Sequence, residues 1–108
     1  MYAQYVKERT DDHILETDQG FATYRFLNER QVYIVDLYIK PDFRKTGIAS
    51  AFSDTIVDIA RAKGCVELLG TVVPSAKNSA DSMKVLLAHG MIPFSIEGNM
   101  ILFKKDIK

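Results

Sequence analysis

Cysteine occurs once in this chain, proline three times, and neither sign of charge is in excess. A single thiol, Cys65, cannot close an intramolecular disulfide, and no Cys/His cluster has metal-ligand spacing. The composition therefore suits a reducing cytosol and a fold without a structural metal, with Cys65 read as a small buried filler. Fourteen basic residues balance fourteen acidic ones. No global field then draws the protein onto nucleic acid or an anionic membrane, and any anion binding must be local. No stretch approaches the roughly 20 apolar residues of a spanning helix. The N-terminal "MYAQYVKERTDD" has no apolar core of signal-peptide length, so the expected location is cytoplasmic. Repeats, low-complexity tracts and linkers are also missing. The 108 residues, 47% of them hydrophobic, are material for a single domain over 1–108 with a modest core.

Periodicity supplies the elements. "YAQYVKE" reads as a weak first strand. "HILETDQGFATYRFLN" reads as two strands folded at Asp18-Gln19-Gly20, with Gly20 taking the positive φ of a tight turn. "QVYIVDLYIK" (31–40) is β-branched and aromatic on both alternating faces, Val32/Ile34/Tyr38 and Tyr33/Val35/Leu37/Ile39. That is the pattern of a central strand covered on both sides. From Ile48 to Lys63 the apolar positions Ile48, Phe52, Ile56, Ile59 and Ala60 recur at helical spacing, and Gly64 ends the helix as a left-handed residue. "CVELLGTVV" (65–73) is a buried strand. Asn78 followed by Asp81 reads as an N-cap opening a helix through "ADSMKVLLAH", closed by Gly90. "MIPFSIEGNMILFKKDI" is a final hairpin around Glu97-Gly98-Asn99, and the tail "NMILFKKDIK" is read as an exchangeable edge strand. The expected class is α/β (α+β): a mixed, mostly antiparallel sheet with two main helices.

The most informative stretch is "KPDFRKTGIAS" (40–50), which delivers two adjacent cations and a glycine onto a helix start. First-turn N–H groups have no intrahelical partner, and the aligned peptide dipoles favour an anion there. Gly47 removes a Cβ that would hold a phosphate away from the backbone, Arg44 and Lys45 add side-chain charge, and Ala49 keeps the next turn thin. Successive N–H groups suit a diphosphate better than one carboxylate. The plain alternative is a polar turn with solvated cations. The spacing is neither a Walker loop nor a dinucleotide fingerprint, because only one glycine is present.

"VDLYIKPDFRKTGIASAF" resembles motif A of the GCN5-related N-acetyltransferases (GNAT), with Arg44, Gly47 and Ala49 at the signature positions. "ARAKGC" and "LLGTVVPSAKNSADSMKVLLAHGM" also look like this family, so the resemblance covers about residues 31–94. It implies a GNAT-like sheet with no or reduced N-terminal helices, and acetyl-CoA as cosubstrate. The diphosphate would be gripped by the backbone of Arg44, Lys45, Thr46, Gly47, Ile48 and Ala49. The pantetheine arm would pair with Leu37, Tyr38 and Ile39, with Asn78 a contact for that arm or only an N-cap. The implied activity is direct transfer of acetyl to an amine, small molecule or protein.

Two departures from the family pattern matter for chemistry. Transfer needs a deprotonated amine and a proton for the departing thiolate. The family's usual tyrosine, four residues before Gly90, is replaced by Leu86, and the acid often found just before Asp-Leu-Tyr is replaced by Val35. Asp36 remains as base or as structural anchor. His89 is either a replacement acid or a surface residue interacting with the helix dipole. His13 falls in a weakly placed early strand. The tyrosines Tyr2, Tyr5, Tyr24, Tyr33 and Tyr38 read as packing, although spacing leaves open an approach by one of them to the thioester. The alternative to an enzyme is an acyl-CoA-binding or protein-interaction module with impaired chemistry. The short "KERTDD" segment leaves no room for acceptor-pocket helices. The acceptor side is then open to a protein side chain or terminus, or is completed by a second copy in a homodimer.

Overall fold

The structure is a computed structural model that describes residues 12–44, 46–75 and 79–108. The weak strand read at "YAQYVKE" lies outside them. Strands β1 (His13–Thr17), β2 (Gly20–Phe26) and β3 (Gln31–Ile39) form a meander, and a short 3₁₀ turn at Pro41–Phe43 leads into helix α1 (Ile48–Ala62). Strand β4 (Glu67–Val72), helix α2 (Ser79–Ala88) and the hairpin β5 (Ile92–Glu97) and β6 (Met100–Asp106) follow. The sheet order is β1-β2-β3-β4-β6-β5, with β3 and β4 parallel and every other neighbouring pair antiparallel. A parallel pair needs a crossover, and α1 provides it. The class expected from the sequence, a mixed and mostly antiparallel sheet with two helices, is the one observed. No described helix is long and apolar enough to cross a membrane.

Helix α1 turns Phe52, Ile56, Val57 and Ala60 onto the sheet, where they pack with Val32, Leu68 and Phe103. Fully burying one such side chain contributes about 1.5–3 kcal/mol, so this stripe anchors the crossover. The helix ends where glycine was expected to end it. Gly64 has φ 91°, its N–H donates to the Arg61 carbonyl, and the Cys65 N–H reaches back to Ala60, a paired closure of the last turn. Gly90, at φ 85°, closes α2 in the same way, with Met91 N–H on the Leu86 carbonyl. Cys65 is buried, and burial pushes its thiol pKa up, with the nearby Lys63 ammonium opposing.

Four expectations need correction. Strand β3 is covered on one face only, since Val35 and Tyr38 are exposed. Its alternation also resets: Thr23 pairs with Asp36 but Tyr24 pairs with Ile34, so Val35 is bulged out of the ladder. After this extra residue Leu37 and Ile39 join Val32 and Ile34 on the helix side, which strict period-two counting assigned to opposite faces. Strand β4 likewise alternates between buried and half-buried residues rather than being buried throughout. The tail strand β6 is interior, between β4 and β5, and β5 is an edge strand among the described residues.

Gly20 is the fourth. It is the first residue of β2, outside the turn at Asp18-Gln19, and is not among the glycines with positive φ. It is required by closeness, because a Cβ there would lie 2.1 Å from the Tyr38 carbonyl oxygen. Gly20→Ala is therefore expected to cost about 1–3 kcal/mol, as overpacking does, by forcing β2 and β3 apart. A urea titration showing less than a few tenths of a kcal/mol would contradict that reading.

Candidate active site

Strands β3 and β4 pair over Gln31–Tyr33 and Glu67–Leu69 only. Beyond Tyr33, β3 continues to Ile39 with β2 as its one strand partner, while β4 turns toward β6. Alternate N–H and C=O groups of Ile34–Ile39 therefore face a gap, and such groups demand partners. The gap opens into a cavity of about 670 Å³ whose walls include Ile34–Ile39, the start of α1, Gly70, Thr71 and the last turn of α2. Gly70 carries no side chain into it, and Leu86 packs above that point, its methyl carbons about 3.7 Å and 3.9 Å from where a Cβ would be.

The start of α1 is polar and unsealed. Its N-cap is Gly47, at φ 86°, with no side-chain cap. The Ala51 N–H donates to the Gly47 carbonyl, so the amides of Ile48, Ala49 and Ser50 precede the ordinary helical ladder and present an anion-favouring end. A Cβ on Gly47 would meet nothing within 4 Å. The glycine is thus demanded by backbone conformation, and the space beside it is open. Arg44 is held rather than loose: its Nε donates to the Ile39 carbonyl at 3.0 Å and its guanidinium lies 5.8 Å from the Tyr38 ring centre. Tyr38 in turn stacks on Phe21 at 5.6 Å. The Thr46 hydroxyl is turned back onto the Phe43 carbonyl.

The cavity brings together Asp36, Leu37, Tyr38, Ile39, Arg44, Gly47, Ile48, Ala49 and His89. Thr46 is not among its lining residues, and Lys45 and Asn78 lie outside the described residues. Asp36 is exposed, and its Oδ1 accepts from the Leu37 N–H at 2.9 Å, so it is anchored only locally. His89 is not the surface residue that its helix-terminal position suggested. Its side chain is 9% exposed, with Nε2 3.1 Å from Asp54 Oδ1. Its Nδ1 is buried without a partner among the described residues.

Sequence reasoning missed two features here. A second cavity of about 220 Å³ on the opposite face of the sheet is walled by Leu27, Leu69, Phe94 and Leu102, with Arg25 and Tyr33. The Tyr33 hydroxyl and Thr71 Oγ1 are 2.8 Å apart, linking β3 to β4 just where the ladder stops. Both depend on strand pairing, which local spacing does not reveal.

This splayed sheet with an uncapped helix at its mouth has close counterparts. The model of the acetyltransferase (GNAT) family matches residues 9–84. The chain belongs to that family. Thialysine N-epsilon-acetyltransferase of Bos taurus is 31% identical over 71 residues, covering 66% of this chain and 42% of the relative. The chain thus spans less than half the length of that relative. Among solved structures, a GNAT acetyltransferase from Elizabethkingia anophelis with acetyl-CoA bound aligns over 95% of this chain and 82% of its own, at TM-score 0.74 and 12% identity. The PaiA N-acetyltransferase of Thermoplasma acidophilum in complex with coenzyme A aligns over 94% and 65%, at TM-score 0.76 and 18% identity. These likenesses establish the GNAT fold.

Because a Cβ at Gly47 would meet nothing within 4 Å, replacing it by alanine tests backbone conformation alone. Gly47→Ala is expected to destabilise by about 1–2 kcal/mol, and Gly47→Asn by less, since asparagine tolerates the left-handed region better. Equal losses in chemical denaturation would assign the cost to something other than φ.

Proposed function

We propose that the chain is an acetyl-CoA-dependent N-acetyltransferase that passes acetyl directly to an amine. The observation that carries this is the cavity between β3 and β4, which runs from the uncapped start of α1 to the end of the strand ladder. A diphosphate on the Ile48, Ala49 and Ser50 amides, flanked by Arg44, places the pantetheine arm along β3. From Ile39 back to Ile34 is about 17 Å of strand, a span for an extended arm. The unpaired backbone of β3 offers it strand-like hydrogen bonds and polarises the thioester carbonyl. Holding thioester and amine in register then supplies much of the rate.

The acceptor is a primary amine on a short stem. The second cavity is small and mainly aliphatic and aromatic, and the bovine relative is named for a thialysine side-chain amine. Asp36, exposed at the gap, is the group to take the ammonium proton before attack. His89, its Nε2 held by Asp54, lines the same cavity.

A second reading, a GNAT-fold module that binds acyl-CoA without transferring, is favoured by Leu86, an apolar side chain over Gly70. Calorimetry separates the first reading from no function at all: acetyl-CoA should bind, and Arg44→Ala should weaken it about tenfold, near 1.4 kcal/mol. Gly47→Glu, which puts a carboxylate in the diphosphate cradle, should abolish it. Absence of binding at about 1 mM ligand would sink both readings. Acetylation of thialysine, lysine or a diamine, followed by mass spectrometry, separates enzyme from module.

A further inference from the structure

Acetyl transfer leaves a thiolate that must be protonated, and the residue above the strand gap, Leu86, has no proton to give. Asp36 is acceptor-only when ionised, and the His89 ring is held toward Asp54. One hydroxyl pair stands at the right place in the topology. Tyr33 is the last residue of β3 that pairs with β4, opposite Leu69. Its hydroxyl bonds Thr71 Oγ1 at 2.8 Å across the first open step, and either oxygen could be the donor. The two cavities, on opposite faces of the sheet, share two lining residues, Gly70 and Thr71. At this spot the partition is one strand thick, and Gly70 has no side chain to thicken it. Tyr33 lines the second cavity but not the first. Thr71 lines both cavities, so its hydroxyl, bonded to Tyr33, stands at the partition between them.

We propose that the Tyr33–Thr71 pair is the proton relay of the transfer step. The inference rests on the acetyltransferase reading above. The neutral amine forms the C–N bond to the thioester carbonyl carbon, and the C–S bond breaks with its electron pair on sulfur. The Thr71 hydroxyl gives its proton to that sulfur and takes the Tyr33 proton in exchange. Tyr33 is refilled by the proton that the newly bonded nitrogen sheds. One proton passes from nitrogen to sulfur overall, and both hydroxyls return to their starting state. Threonine and tyrosine suit this because each hydroxyl donates and accepts at once. The relay compensates for the missing helix tyrosine from the sheet side.

Steady-state kinetics on the native chain and four variants, with acetyl-CoA and the best amine from the panel, tests this. Tyr33→Phe and Thr71→Val should each lower kcat about 100-fold or more, the scale of general-acid catalysis. The KM for acetyl-CoA should stay within about twofold. Thr71→Ser, which keeps the hydroxyl, should retain most of kcat, and the Tyr33→Phe/Thr71→Val double variant should be no slower than either single change, as for groups acting as a unit. Calorimetric acetyl-CoA binding in each variant controls for folding. An active native protein whose Tyr33→Phe variant keeps kcat within threefold, or in which Thr71→Ser is as slow as Thr71→Val, overturns the relay and leaves the enzyme reading standing. A native protein that binds acetyl-CoA but acetylates no amine overturns both.

Discussion

Two neighbouring strands that bond at one end and part at the other set everything else in this molecule. Parallel pairing of β3 with β4 lasts from Gln31 to Tyr33, so the remaining strand length is committed to opposite partners, β2 and β6. The unsatisfied edge this creates would be costly if buried dry. It is tolerable because the space between the strands is a cavity that water or a ligand can fill. The crossover helix holds the separation open. Its apolar stripe grips the sheet through Phe52, Ile56, Val57 and Ala60, while its N-terminus stops at the mouth of the gap. Packing and polarity are thereby assigned to different parts of one helix: the stripe fixes the position, and the first-turn residues at its end line the cavity.

Much of this was legible in the chain, for identifiable reasons. Helix ends were readable because Gly64 and Gly90 have a local job, satisfied by backbone bonds within the same turn. The junction from Lys40 to Ser50 was readable because strand, turn, glycine and helix are consecutive, so the anion-favouring end is assembled from neighbours. Asp36 was readable as a carboxylate interrupting an otherwise apolar strand, whereas the helix-terminal position of His89 suggested a surface residue. What was not legible involves separation in sequence. The bulge at Val35 follows from fitting β3 against β2, and it alone moves Leu37 and Ile39 to the helix side. Gly20 was correctly marked as constrained but for the wrong reason, since the constraint is a carbonyl on Tyr38, eighteen positions away in sequence. The partner of His89 comes from α1, whose Asp54 no local pattern connects to it. The tyrosine on β3 that meets Thr71 belongs to the same class.

The two faces of the sheet differ more than the composition suggests. One carries both helices and the core. The other leaves Leu27 and Phe94 exposed, with the smaller cavity beside them. Asp36 sits at the boundary between the faces because the bulge beside it turns the strand, a use of bulges that re-aims side chains near functional sites. At Gly70 and Thr71 the partition is one strand thick, so the two cavities approach a common point.

Strand β5 gives the edge of the sheet a character of its own. Its Ile92 and Ile96 are 63% and 73% exposed, which in a flat strand would invite another chain to add itself. Proline at position 93 denies that newcomer a donor, and the ladder slips between Pro93 and Ser95, twisting the backbone away from a straight template. Backbone shape thus protects an edge whose side chains are largely apolar, and a straightened β5 would offer another chain a template for pairing.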